Sequence, residues 1–264
     1  MQYKLQSPGG AEHVKDLVWL DETDFELNGT RFTVDLSWGG RRGHSDEEKF
    51  VIVKNKTYID TYIEQLNFPF KNIVEVGFFE GGSSVFLDCM YKPNKLVCVD
   101  RRVEEIDPVS NYIASHNRQN EFKMIYDFDQ ADISSWKTVL NSEFQDGIDL
   151  VVDDASHQYN LTKETFSVLF PRLNSGGVYV IEDYGWAHDS RYQDKSHAWY
   201  NNKALSNMIF ELTMISASRA DIIKSIYINR GLCFIVKGNY VDNEVKLFNI
   251  EDYILSRDRE LTHI

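Results

Sequence analysis

The feature that most constrains this chain is a repeated punctuation. From Asn72 onward, short Val/Ile-rich runs alternate with longer helix-compatible stretches, and nearly every run ends in a carboxylate. NIVEV ends at Gly77, KLVCV at Asp100, FKMIY at Asp127, IDLVV at Asp153 and Asp154, and GGVYVI at Glu182 and Asp183. Apolar runs of this length suit strands covered on both faces, and the stretches between them are long enough for helical crossovers, so the pattern predicts βαβ units and a parallel α/β sheet. Ligands of open parallel sheets bind beyond the carboxyl ends of the strands, which is where these acids are expected to converge. The last two runs, DIIKSIYI and LCFIVKG, are separated only by Asn229-Arg230-Gly231. That link is too short for a crossover and predicts an antiparallel hairpin at the sheet edge.

Residues 1–68 follow a different pattern and read as an N-terminal extension, ahead of a main domain over 69–240 and a tail over 241–264. Asn28-Gly29 stands between the alternating runs DFEL and TRFTVDL, a strong β-hairpin signal. A glycine-rich basic loop from Ser37 to His44 follows, then a helical pattern from Thr57 to Leu66 with Ile59, Tyr62, Ile63 and Leu66 on one face. The extension is expected to cap an acceptor site or mediate oligomerisation; Arg41, Arg42 and His44 read first as part of a solvated loop, and as the alternative could bind an anionic acceptor.

Composition excludes several function classes. Acidic residues outnumber basic ones 41 to 28, a formal charge of -13 that repels nucleic acid and anionic membrane surfaces. Three cysteines, Cys89, Cys98 and Cys233, sit singly in apolar runs, which argues for a reducing cytoplasm without disulfides or a zinc site. The first fifteen residues lack the apolar segment of a signal peptide, and nowhere do eighteen apolar residues run together. The expectation is a cytoplasmic protein, free of membrane, acting on a small molecule.

After the first of the Val/Ile runs, Glu75-Val-Gly77-Phe-Phe79-Glu80-Gly81-Gly82-Ser83-Ser84 opens a helix. Glycines there let backbone approach a ligand closely, and the free N–H groups of a helix start can receive an anionic group. The spacing G-x-x-x-G-G lacks the central glycine of a dinucleotide fingerprint. With an acid two residues before the first glycine, it resembles motif I of class I S-adenosylmethionine-dependent methyltransferases, where the loop cradles the methionine part of the cofactor. Asp100, 23 positions after Gly77, fits the carboxylate that accepts hydrogen bonds from a ribose diol. The resemblance implies a cofactor site of Glu75, Gly77, Phe79, Gly81, Ser83, Asp100 and Arg101. In the turn after the third run, Asp129 and Gln130 could read an adenine edge with an acceptor and a donor. Asp132 could instead be a helix N-cap. Asp153 alternates toward the expected cofactor side.

Asp149-Leu-Val-Val-Asp153-Asp154-Ala155-Ser156-His157 is the most informative stretch. Asp154 and Glu182 stand 28 positions apart, the length of one strand-helix-strand unit. Asp154, Glu182 and Asp183 would then offer three hard oxygen ligands suited to Mg²⁺. His157, three positions after Asp154, is near enough to take a proton from a hydroxyl held at that metal. The sequences D-Q-x-D, D-D-A-S-H and L-F-P-R-L-x-x-G-G-x-Y-V-I-E-D together resemble the metal-dependent sugar O-methyltransferases of macrolide biosynthesis, over about residues 70 to 240. The cephalosporin hydroxylase-like proteins share the pattern. This resemblance implies a Rossmann-like class I methyltransferase fold with a mostly parallel seven-stranded sheet, Mg²⁺ on Asp154, Glu182 and Asp183, and His157 as general base. Ala155 departs from the family, which usually has Gly there. The activity implied is methyl transfer from S-adenosylmethionine to a hydroxyl of a sugar or other secondary metabolite. A hydroxylase-like protein, or a non-catalytic nucleotide-binding or scaffold protein on the same fold, is the alternative. Beyond Asp183, the loop through Trp186, Tyr192 and Trp199 is aromatic enough to cover an acceptor ring, or to pin itself to the domain.

Overall fold

The computed structural model describes residues 16–37, 42–240, 247–257, 259 and 261–264. Arg41, one of the basic residues of the glycine-rich loop, lies outside the described residues, as do the first fifteen positions and 241–246 of the C-terminal tail. The chain divides into two compact units, Met1–Asp127 and Phe128–Ile264.

In the first unit, β1 (Leu17–Trp19), β2 (Asp24–Leu27), β3 (Thr30–Val34) and β4 (Phe50–Ile52) form a four-stranded sheet in chain order. The β2–β3 hairpin turns on Asn28 and Gly29 at φ 50° and 81°, the left-handed pair of a two-residue turn whose twist matches its strands. β4 pairs parallel to β3 and has no counterpart in the sequence reading, where a three-residue run is too short to show a period. Helix α1 (Lys56–Gln65) follows, its first turn capped by the Asn55 side chain.

β5 (Asn72–Val76), β6 (Lys95–Val99) and β7 (Phe122–Ile125) then pair in parallel, joined by α2 (Gly82–Tyr91) and α3 (Asp107–Ser115). All ten residues of α2 are buried. The N-terminal strands share a core with this helix. Phe25 and Phe32 stack at 5.0 Å and meet Phe86 edge-on, and Asn28 Nδ2 donates to the Cys89 carbonyl at 2.7 Å. A Cβ at Gly82 would lie 2.0 Å from the Val51 carbonyl oxygen, so glycine is what lets α2 start against β4.

In the second unit, α4 (Ile133–Glu143), β8 (Ile148–Asp153), α5 (Tyr159–Leu169) and β9 (Leu173–Ile181) continue the alternation, with β8 and β9 parallel. Asp132 caps α4, accepting from the Ser134 and Ser135 amides. After α6 (Ser206–Ser218) come β10 (Ile223–Asn229) and β11 (Leu232–Lys237), an antiparallel hairpin closed by Arg230 and Gly231, with β11 antiparallel to β9. The large sheet has seven strands in the order β10-β11-β9-β8-β5-β6-β7, mostly parallel as expected. Among the described residues no helix is long and apolar enough to cross a membrane.

Candidate active site

The glycine loop of the first unit is built around two carboxylates and one acid–base pair. Gly77, Phe79 and Gly81 adopt φ of 86°, 48° and 75°, which turns the chain sharply between β5 and α2. Asp100, just past β6, ties this turn down. Its Oδ2 accepts from the amides of Phe78 and Phe79 at 2.8 and 3.0 Å, and its Oδ1 from Arg102 N at 2.8 Å. Asp100 is thus the organiser of the loop as well as its expected ribose partner. Arg101 is exposed, whereas Arg102 reaches back, its Nη1 donating to Glu80 Oε1 at 3.0 Å and to the Phe79 carbonyl at 3.3 Å. Glu80 is 4% exposed and also meets His44 Nδ1 at 3.1 Å, while the Arg42 guanidinium lies 5.1 Å above the Phe79 ring. Arg42 and His44 therefore rest on the glycine loop. Glu80 and Arg102 carry no motif signal in the sequence, although Arg102 lies only two residues beyond Asp100.

Glu75 is fully buried in β5. The Ser84 hydroxyl donates to its Oε2, and its Oε1 makes no hydrogen bond. Burial raises the pKa of this carboxyl, opposed by the nearby Ser83 and Ser84 hydroxyls and the Lys54 charge. A buried carboxylate oxygen with no donor is costly alone and suits a cationic guest.

The second unit carries the acid pairs at the ends of β8 and β9. Strand alternation sends successive residues to opposite faces. Asp153 and Glu182 are each 2% exposed, and the Glu182 amide donates to the Asp153 carbonyl at 3.0 Å. Asp153 accepts from the Tyr179 hydroxyl at 2.8 Å, and burial pushes its pKa up to about 7. Asp154, just past β8, is half-buried, and Asp183, just past β9, is exposed. Together with His157 they offer ligand atoms all within 4.8 Å of one another, the His157 Nε2 standing 3.8 Å from Asp154 Oδ1. The expected trio was Asp154, Glu182 and Asp183. The structure brings His157 together with Asp154 and Asp183, and Glu182 beside them is buried.

Gln130 departs further from expectation. Its side chain is buried, with Oε1 accepting from Ser156 N at 3.1 Å and Nε2 donating to Thr165 Oγ1 at 3.0 Å. This amide holds the loop that carries His157, and its acceptor faces protein instead of an adenine edge. Asp129 is exposed, its Oδ1 accepting from Ala131 N at 3.0 Å in the turn. Downstream, Trp186, Tyr192 and Trp199 pack on one another, with Trp186 5.2 Å from Tyr192 and 5.1 Å from Trp199, both edge-on. The Trp186 indole N–H donates to the His157 carbonyl at 2.8 Å.

Residues 74–184 match the family model described as a methyltransferase domain, and with the seven-stranded sheet this defines the class as a Rossmann-like methyltransferase fold. Within that class the chain resembles sugar O-methyltransferases. It is 58% identical over 36 residues to the 8-demethyl-8-alpha-L-rhamnosyl tetracenomycin-C 2'-O-methyltransferase of Streptomyces olivaceus, covering 14% of this chain and 10% of that protein. It is 28% identical over 116 residues to the uncharacterized protein R132 of Acanthamoeba polyphaga mimivirus, covering 42% of this chain and 50% of that one. Among solved structures, the MycE methyltransferase from the mycinamycin biosynthetic pathway, in complex with Mg, SAH and mycinamycin VI, superposes with a TM-score of 0.50. That match has 20% sequence identity and covers 70% of this chain and 49% of MycE. The chain spans half or less of the length of each of these relatives.

Proposed function

We propose that this protein is an S-adenosylmethionine-dependent O-methyltransferase that uses Mg²⁺ and methylates a hydroxyl of a sugar or other secondary metabolite. The observation that carries the reading is the gathering of Asp154, His157 and Asp183 within 4.8 Å beyond β8 and β9, inside the stretch that matches a methyltransferase domain. The Streptomyces relative, whose name gives a rhamnosyl compound methylated at oxygen, and MycE, solved with Mg, SAH and mycinamycin VI, support the same chemistry.

The residues fit both groups. Glu75, with its buried and unsatisfied Oε1, suits the cationic methionine part of the cofactor. Gly77, Phe79, Gly81 and Ser83 shape the loop around it, and Asp100, with Arg101 beside it, serves the ribose. Asp129 remains an open acceptor for the adenine end. Asp154 and Asp183 supply hard oxygen donors for the cation, with Glu182 the third acid that the resemblance implies. S-adenosylmethionine supplies a methyl group made electrophilic by its sulfonium, and a divalent cation lowers the pKa of a hydroxyl at its side. His157, with Nε2 3.8 Å from Asp154 Oδ1, would accept the proton of an acceptor hydroxyl held beside it, and bound S-adenosylmethionine would supply the methyl group with its thioether as leaving group. Catalysis in such a site is mostly positioning.

The test is calorimetric titration of S-adenosylmethionine, with and without Mg²⁺, into wild type, Asp100→Ala and Asp154→Ala. Wild type should bind the cofactor, Asp100→Ala should lose it, and Asp154→Ala should lose only metal binding. A wild type that binds neither would leave a binding or scaffold module as the reading.

A further inference from the structure

Two residues of the acid–histidine group have backbones in the left-handed region, His157 at φ 56° and Asp183 at φ 50°. Neither is a glycine, and although His and Asp enter this region more readily than most residues, it remains uncommon for them and is supported by their surroundings. For His157 the surroundings can be named. Gln130 Oε1 accepts from the amide of Ser156, the residue before it, and Ser156 Oγ accepts from the amide of Gln158, the residue after it, at 3.3 Å. The His157 carbonyl itself is taken by the Trp186 indole N–H at 2.8 Å.

Trp186 reaches that carbonyl because of Asp183. The left-handed Asp183 starts a turn in which the Trp186 amide donates to the Asp183 carbonyl at 3.2 Å, and this turn directs the indole back across to His157. Trp199 and Tyr192 then buttress the Trp186 ring edge-on. One side chain therefore links the loop after β8 to the loop after β9, between two residues that both have left-handed backbones.

We propose that Trp186 is a positioning residue that fixes His157 relative to Asp183 through its indole N–H. The role rests on reading His157 and Asp183 as the working groups of the site. It differs from a lid over the acceptor, since a ring spent on packing and on the His157 carbonyl offers its N–H to no substrate. Trp199 provides the control, because it belongs to the same aromatic cluster while Trp186 alone donates to His157.

The experiment compares Trp186→Phe with Trp199→Phe in the full chain, labelled at histidine for nuclear magnetic resonance, with the His157 ring signal assigned through His157→Ala. Mn²⁺ alone serves as the probe of metal affinity. Trp186→Phe should move the His157 ring resonance and weaken Mn²⁺ binding about 10-fold, the usual scale for losing a group that orients metal-site residues. Trp199→Phe should leave the resonance in place and the affinity within about twofold. An unmoved His157 signal in Trp186→Phe, or unchanged Mn²⁺ affinity in that variant, overturns the proposal. If wild type takes up no Mn²⁺, the metal reading falls, and the His157 signal still decides the role of Trp186. Should Trp186→Phe not fold, hydrogen exchange of the Trp186 indole N–H in wild type decides: slow exchange supports the bond to His157, and exchange as fast as free indole refutes it.

Discussion

Asp100→Asn is the perturbation that most directly tests how the glycine loop is held. The carboxylate accepts three backbone hydrogen bonds, from Phe78, Phe79 and Arg102. An asparagine can keep its oxygen toward Phe78 and Phe79, but it then turns an NH₂ group toward the Arg102 amide. Hydrogen bonds to a charged group contribute about 1.5–3 kcal/mol each against about 0.5–1.5 for neutral ones. The two retained bonds weaken by about 1 kcal/mol each and the third is lost, a total of about 3–5 kcal/mol. Asp100 is only half-buried, so water recovers part of this and about 2–4 kcal/mol remains. For a chain of this size that corresponds to a fall in Tm of about 4–16 °C, readable by circular dichroism. Because the same amides shape the loop, S-adenosylmethionine affinity should fall together with Tm. A variant melting within about 1 °C of wild type would refute the reasoning, since the loop would then be held by something other than this carboxylate.

Two further perturbations address the same site. Gly81→Ala forces a Cβ to 2.5 Å from Val109 Cγ2 at a φ of +75°. The left-handed conformation costs about 1–2 kcal/mol and the overpacking about 1–3 kcal/mol, so chemical denaturation should show a loss of about 2–5 kcal/mol. Asp153 carries the pH prediction. Its folded pKa of about 7 stands above the ordinary 3.8, so the native state holds this proton more tightly than the unfolded chain does. The stability it contributes is full below about pH 3.8, declines between pH 3.8 and 7, and is gone above 7. Asp153→Asn should flatten that decline in denaturation midpoints measured across the window, and an unchanged slope would place the proton elsewhere.

The sequence by itself determined the class of fold. The Val/Ile runs become β5 to β9 because apolar stretches buried on both faces have few other places to go, and their acid tips mark the strand ends. Asn28-Gly29 and the link through Arg230-Gly231 became hairpins because each supplies backbone that accepts a tight turn. Asp132 at the start of α4 was legible for the same local reason. The neighbourhood of each acid was legible too, but not its direction.

What only the tertiary structure decided is which groups meet. Adjacent acids look equivalent in a sequence, yet the packed chain buries Asp153 and Glu182 and leaves Asp154 and Asp183 beside His157. Gln130 reads as a ligand-facing amide until Ser156 and Thr165 are seen to occupy it, 26 and 35 residues away in the chain. Arg42 and His44 land on Phe79 and Glu80, and Trp186 on His157, through contacts of high sequence separation that no local pattern encodes. A periodic pattern reports burial and backbone shape, which are properties of a segment. A site is a property of several segments at once, joined by contacts such as the Trp186 indole N–H on the His157 carbonyl that only the packed chain makes.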